Sequence, residues 1–201
     1  MGASTVGILG YQGCIEPHEA IFKALRVNCM RVRTPEDLDK VDRIILPGGE
    51  STTMLRFMKL HGMFPALQGF AKSHPVWGIC AGAILVASQV TNPSQDSLQL
   101  IDIAAHRNFY GSQLDSFDAQ IDIDLCAKPI TAQFIRAPLL TPLNSSKSGS
   151  HDALKIHAYY NNQPVFFSQG NVWACSFHVE LGSNLELHRR FVDGEIKSIP
   201  K

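Results

Sequence analysis

The chain has no surplus of either charge: 18 Lys and Arg stand against 18 Asp and Glu in 201 residues, and the pI is near 7.1. A nucleic-acid or anionic-membrane binder carries a basic footprint, so neither partner is expected. Lys23, Arg26, Arg31 and Arg33 lie close in sequence, but they straddle an expected helix and strand and read as solvated scatter. Paired cysteines are missing as well. Cys14, Cys29, Cys80, Cys126 and Cys175 are odd in number and lack any C-x-x-C spacing. This argues against a disulfide framework or a zinc site and for a reducing compartment. The longest apolar run, residues 76–87, is too short for a bilayer core of about 30 Å. The first residues lack the regions of a secretory signal, and Val6 stands where a myristoylation signal wants serine or threonine. No repeat, low-complexity tract or linker divides the chain. The expectation is a soluble cytoplasmic protein folded as a single domain over residues 1–201.

Apolar strand-like runs alternate with amphipathic segments through the first half. Strands are expected at residues 5–10, 28–33 and 42–46, with another after Pro75; helices are expected at 16–26, 52–60 and 64–73. Such alternation with continuous apolar strands predicts a parallel sheet covered on both faces. The second half has six strand-like runs, at 98–103, 119–123, 131–135, 153–159, 164–168 and 172–177, with few helices between them. They read as added, largely antiparallel strands rejoining the main sheet near His178. A last helix is expected over 184–196, and exposed loops over 91–97 and 141–152.

The most informative stretch is Gly78-Ile79-Cys80-Ala81-Gly82. It follows an apolar run and precedes a helix-compatible one, which is the nucleophile-elbow pattern with cysteine in place of serine. The unpaired amides and dipole of a helix N-terminus favour a thiolate there. A buried cysteine at an ordinary strand–helix junction would read the same. A thiolate needs a base, and that base needs a partner that fixes its tautomer. Phe177-His178-Val179-Glu180 offers both, since in an extended segment His178 and Glu180 point the same way. A surface histidine and glutamate, or two metal ligands lacking a third and fourth, would look alike. Pro47-Gly48-Gly49-Glu50-Ser51 is a turn into a helix that leaves amides free for an oxyanion. Gly48 and Gly49 supply one donor and Ala81 the other.

In this order the three motifs resemble the class I (triad) glutamine amidotransferases. Further blocks narrow the resemblance to the glutaminase subunits of pyridoxal 5'-phosphate synthases. These are Leu9-Gly10-Tyr11-Gln12-Gly13, residues 46–53, Arg107-Asn108-Phe109-Tyr110-Gly111-Ser112-Gln113 with Asp115-Ser116-Phe117, and Phe134-Ile135-Arg136-Ala137-Pro138. The match runs from Val6 to Val192. It implies an α/β three-layer fold, flavodoxin-like in its mostly parallel sheet, with added antiparallel strands in the second half. It implies hydrolysis of L-glutamine to L-glutamate and ammonia, with no metal and no organic cofactor. The ammonia would pass, within a hetero-oligomer, to a synthase (lyase) subunit that builds the vitamin B6 cofactor from a pentose phosphate and a triose phosphate. Residue by residue, the resemblance assigns Cys80 as nucleophile, His178 as general base and acid, and Glu180 as the orienting carboxylate. Gly49, Glu50 and Ser51 would contact glutamine, with Arg107, Ile135 and Arg136 completing the pocket. Two positions depart from the pattern: Val179 stands where proline is usual, and Ile79 where threonine is frequent. Rival readings are a γ-glutamyl hydrolase or peptidase on the same elbow, or a non-catalytic regulatory subunit.

Overall fold

The computed structural model describes residues 4–107, 116–143 and 153–194. The first half runs β1 (Thr5–Leu9), α1 (Ile15–Leu25), β2 (Asn28–Val32), α2 (Pro35–Leu38), β3 (Arg43–Leu46), α3 (Ser51–Leu60), α4 (Met63–Phe70), β4 (Val76–Ile79) and α5 (Ala81–Val86). The second half holds β5 (Ala87–Thr91), β6 (Ile101–His106), β7 (Phe117–Ile121), β8 (Ile130–Phe134) and β9 (Leu139–Pro142). It continues with β10 (Lys155–Tyr160), β11 (Gln163–Gln169), β12 (Val172–Cys175) and α6 (Glu186–Asp193).

A seven-stranded sheet in the order β10-β11-β12-β4-β3-β1-β2 forms the middle layer. From β12 to β2 every pairing is parallel, and β10 and β11 add an antiparallel edge. Side chains alternate across it. Ile44, Leu46, Val76, Val172 and Ala174 pack into a core with α3, α4 and α5. Ile45, Trp77, Ile79, Trp173 and Cys175 pack into another with α1 and α6. Strands covered on both faces must be apolar where they are buried, which is why β4, β12 and the Ile44–Leu46 part of β3 read as unbroken hydrophobic runs. Buried His18 and His188, 2.9 Å apart between ring nitrogens, tie α1 to α6.

The α/β expectation holds, with corrections in the second half. Only β10, β11 and β12 join the main sheet. β5, β6 and β9 form a separate three-stranded sheet, and β7 and β8 a two-stranded one. β5 and β9 lie where no strand was expected, so Thr141 and Pro142 belong to β9 rather than to a loop. The rest of that expected loop, residues 144–152, lies outside the described residues, as do 108–115 of the resemblance blocks. The final helix is shorter than expected: Gly194 ends it in the left-handed region at φ 71. No described helix is long and apolar enough to cross a membrane.

Candidate active site

The elbow is built by steric demand. Cys80 sits at φ 50 and ψ −102, outside the regions open to most side chains, a conformation that costs roughly 1–3 kcal/mol. Its N–H donates to Cys175 O (2.8 Å), and its carbonyl accepts from Ile84 N–H (3.3 Å). The flanking glycines are required by space. A Cβ on Gly78 would lie 2.5 Å from Gly82 O, and one on Gly82 would lie 1.9 Å from Leu46 O. Gly82→Ala should therefore destabilise the protein by about 1–3 kcal/mol, the usual range for overpacking. A urea-melt midpoint unchanged from the unaltered chain would show that the junction can relax.

His178 does not stand on a strand. β12 ends at Cys175, and the chain turns out of the sheet. His178 then exchanges backbone hydrogen bonds with Gln133 of β8 (2.7 and 3.4 Å). The alternation expected to align His178 with Glu180 is absent, yet the pair forms: His178 Nδ1–H donates to Glu180 Oε1 at 2.7 Å. Both residues are 4% exposed. Burial pushes the imidazole pKa down, but contacts with Cys14, Cys80 and Glu180 outweigh it and hold the pKa well above its ordinary value. The site therefore favours the protonated ring. Val179, the departure from proline, is buried in the core and leaves the His–Glu contact intact. Ile79, the last residue of β4, is fully buried in the core shared with α1 and α6 and does not line the cavity.

The turn after β3 closes over the imidazole. A Cβ on Gly48 would lie 2.1 Å from His178 Cε1, so only glycine lets this backbone approach the ring. Gly48 O accepts from Cys14 N–H at 2.9 Å. The N–H of Gly49, antiparallel to that carbonyl across a planar peptide, is therefore directed away from Cys14. Gln12 Oε1 accepts the Glu50 N–H at 2.7 Å. Next to these groups lies a cavity of about 250 Å³. Gly49, Glu50, Ser51, Cys80, Ala81, Arg107, Ile135, Arg136 and His178 all face it. Gly48 lies against His178, and Glu180 backs His178 through the 2.7 Å contact. The thiol of Cys80 lies 3.8 Å from Ile135 O. Arg107 Nη2 donates to Thr52 Oγ1 (2.9 Å), and Ser51 Oγ to Gln95 Oε1 (3.1 Å). Arg136 lies 3.9 Å from Glu50, but its side chain is 81% exposed, and so open a pair contributes little by itself.

Two features escaped sequence reasoning. Cys14 Sγ lies 3.8 Å from His178 Nδ1, across 164 residues of chain. The only hint was its place after β1, at the end of the sheet where ligands bind. The other feature is a second carboxylate–histidine–hydroxyl relay, for which no local motif exists. His157 contacts Asp124 Oδ1 at 2.7 Å and Ser168 Oγ at 2.6 Å. His157 and Ser168 are buried, so this relay ties β10 to β11 without access to a substrate.

A thiol on a strained strand–helix elbow, sharing a cavity with an imidazole backed by a buried carboxylate, is the arrangement that cysteine hydrolases of the α/β class use. Comparison with known proteins narrows that class. A protein of Thermosipho africanus (strain TCF52B), named pyridoxal 5'-phosphate synthase subunit PdxT, is 40% identical over 189 residues, 94% of this chain and 97% of the relative. The protein of that name from Fervidobacterium nodosum is 41% identical over 188 residues, 93% of this chain and 95% of its own. A crystal structure described as a glutamine amidotransferase superposes with a TM-score of 0.85 at 31% identity, covering 96% of this chain and 98% of the other. Residues 8–197 match the SNO glutamine amidotransferase family, and the chain belongs to it.

Proposed function

We propose that Cys80, His178 and Glu180 are the triad with which this chain, as one glutaminase domain, hydrolyses L-glutamine to L-glutamate and ammonia. The observation that carries the reading is the 2.7 Å His178–Glu180 contact beside the cavity that Cys80 also faces. The Cys80 thiolate adds to the side-chain amide carbon. The amide of Ala81 and the Gly48-Gly49 turn receive the oxyanion. Protonated His178 gives its proton to the departing nitrogen, so ammonia leaves and a thioester remains. The neutral imidazole then takes a proton from water, whose oxygen displaces the thiolate and yields glutamate. The chain acts as the glutaminase subunit of a pyridoxal 5'-phosphate synthase, handing ammonia to a synthase (lyase) subunit in a hetero-oligomer. Five free cysteines, none of them paired, suit the cytoplasm. Comparing turnover of free L-glutamine with that of γ-glutamyl peptides separates this reading from a γ-glutamyl hydrolase. Preference for the peptides would overturn it.

Substrate recognition falls to charged groups that line the cavity. Glu50 suits the α-ammonium of glutamine, and Arg107, anchored on Thr52, suits its α-carboxylate. Losing a charge-assisted contact costs about 1.5–3 kcal/mol, so Arg107→Ala should weaken glutamine binding by roughly tenfold or more. The thiol should keep its reactivity toward a small alkylating agent. Unchanged KM and kcat/KM in the variant would place Arg107 outside the substrate's reach.

A further inference from the structure

Two unlike ligand atoms, a carboxylate oxygen and a sulfur, converge on Nδ1 of His178. Glu180 Oε1 is 2.7 Å from it and Cys14 Sγ 3.8 Å, and the three potential ligand atoms all lie within 4.8 Å of one another. Around a tetrahedral Zn²⁺, sulfur, nitrogen and oxygen ligands stand on the order of 3.5 Å apart. Small rotations of these side chains reach that spacing. A separate observation points to a cation. The second carboxylate oxygen of Glu180, Oε2, is buried and has no hydrogen-bond partner among the described residues. Glu180 itself is only 4% exposed. Leaving a buried carboxylate oxygen unmet is unfavourable, and a metal ion would satisfy it. Cys14 and His178 both border the 250 Å³ cavity, which gives an ion a way in and a water a fourth position. The sequence offered His178 and Glu180 no third ligand; the fold supplies one.

We propose that Cys14, His178 and Glu180 form a Zn²⁺ site whose occupation switches glutamine hydrolysis off. The thiolate of Cys14 selects a borderline-soft ion such as Zn²⁺ over Mg²⁺ or Ca²⁺. Starting from the imidazolium, coordination releases two protons to water, one from the Cys14 thiol and one from Nδ1. The Nδ1 electron pair goes to the metal. The other ring nitrogen keeps its proton and can no longer accept one from Cys80 or from water. The binding claim rests on the geometry, and the switch rests on reading His178 as the triad base.

Metal binding is read directly on the full chain, by Zn²⁺ competition with a chromophoric chelator and by the thiolate-to-metal absorption of Co²⁺. The unaltered protein should bind one equivalent and show the Co²⁺–thiolate band. Cys14→Ser should lose the band and weaken Zn²⁺ binding at least about 100-fold, the upper end of what a lost supporting contact costs. Glu180→Gln should weaken it too, while Cys80→Ala keeps both band and affinity. Unchanged affinity in Cys14→Ser or Glu180→Gln, or a band that disappears with Cys80 instead of Cys14, overturns the site. For the switch, Zn²⁺ should inhibit ammonia release at the concentration that fills the site. Cys14→Ser, compared with its own metal-free rate, should need proportionally more. Full turnover at saturating Zn²⁺ overturns the switch. None of the binding arms depends on turnover, so a failure of the glutaminase reading would leave them decisive.

Discussion

The Cys80→Ala protein should release no measurable ammonia from L-glutamine, even with its synthase partner present, and should melt as the unaltered chain does. Removing the nucleophile of a triad lowers kcat by on the order of 10⁶, because the remaining groups then have nothing to attack with. No other thiol can take its place. Burial raises the pKa of Cys175 and pushes that of Cys126 up to about 12, keeping both protonated. Burial also raises the pKa of Cys29, which lies on β2 away from the cavity. Cys14 is near His178, but it precedes α1 instead of sitting on the strand–helix elbow, where Cys80 stands. The backbone at Cys80 is held by its own hydrogen bonds to Cys175 and Ile84, which alanine retains. Turnover above background in the variant would sink the mechanism.

Adding the synthase subunit at saturating glutamine should raise kcat by roughly 10²–10³, the effect of gaining one oxyanion donor. The physical basis is the Gly48–Gly49 peptide. Its carbonyl is tied to the Cys14 amide, and its orientation decides whether an N–H or a C=O faces the reacting carbon. Glycine on both sides lets such a peptide turn over with little steric cost. Gln12 and Gly13 press on this turn: a Cβ on Gly49 would lie 2.7 Å from Gln12 Oε1 and 2.9 Å from Gly13 Cα. A partner that moves the Gln12-Gly13 loop therefore also moves the oxyanion donor. A productive orientation only in the complex would keep ammonia from being released where nothing consumes it. Equal kcat with and without the subunit would rule this device out.

The parallel half of the sheet was legible because burial on both faces leaves a local mark, the unbroken apolar runs of β3 and β4 between helical periodicities. The strand–helix elbow was legible for a similar reason. Gly78 and Gly82 are forced by contacts at 2.5 and 1.9 Å, and that demand survives in sequence as a short motif. The second half was harder to read. β5 follows α5 without a break, so the apolar residues of both merge into one run with no single period. Which of the later strands join the main sheet depends on pairing partners that no local pattern names.

The sequence by itself determined the fold class and put Cys80, His178 and Glu180 forward as a chemical set, because each sits in a motif shaped by its immediate neighbours. Tertiary structure alone decided how His178 meets Glu180, off the strand and braced by Gln133. It also decided that Arg107 anchors on Thr52, that Ser51 leans on Gln95, and that Cys14 stands beside the imidazole. Apart from the His178–Glu180 pair itself, these contacts join segments 44 to 164 residues apart. Periodicity records which face of an element is buried, but it carries no information about which distant side chain meets it there.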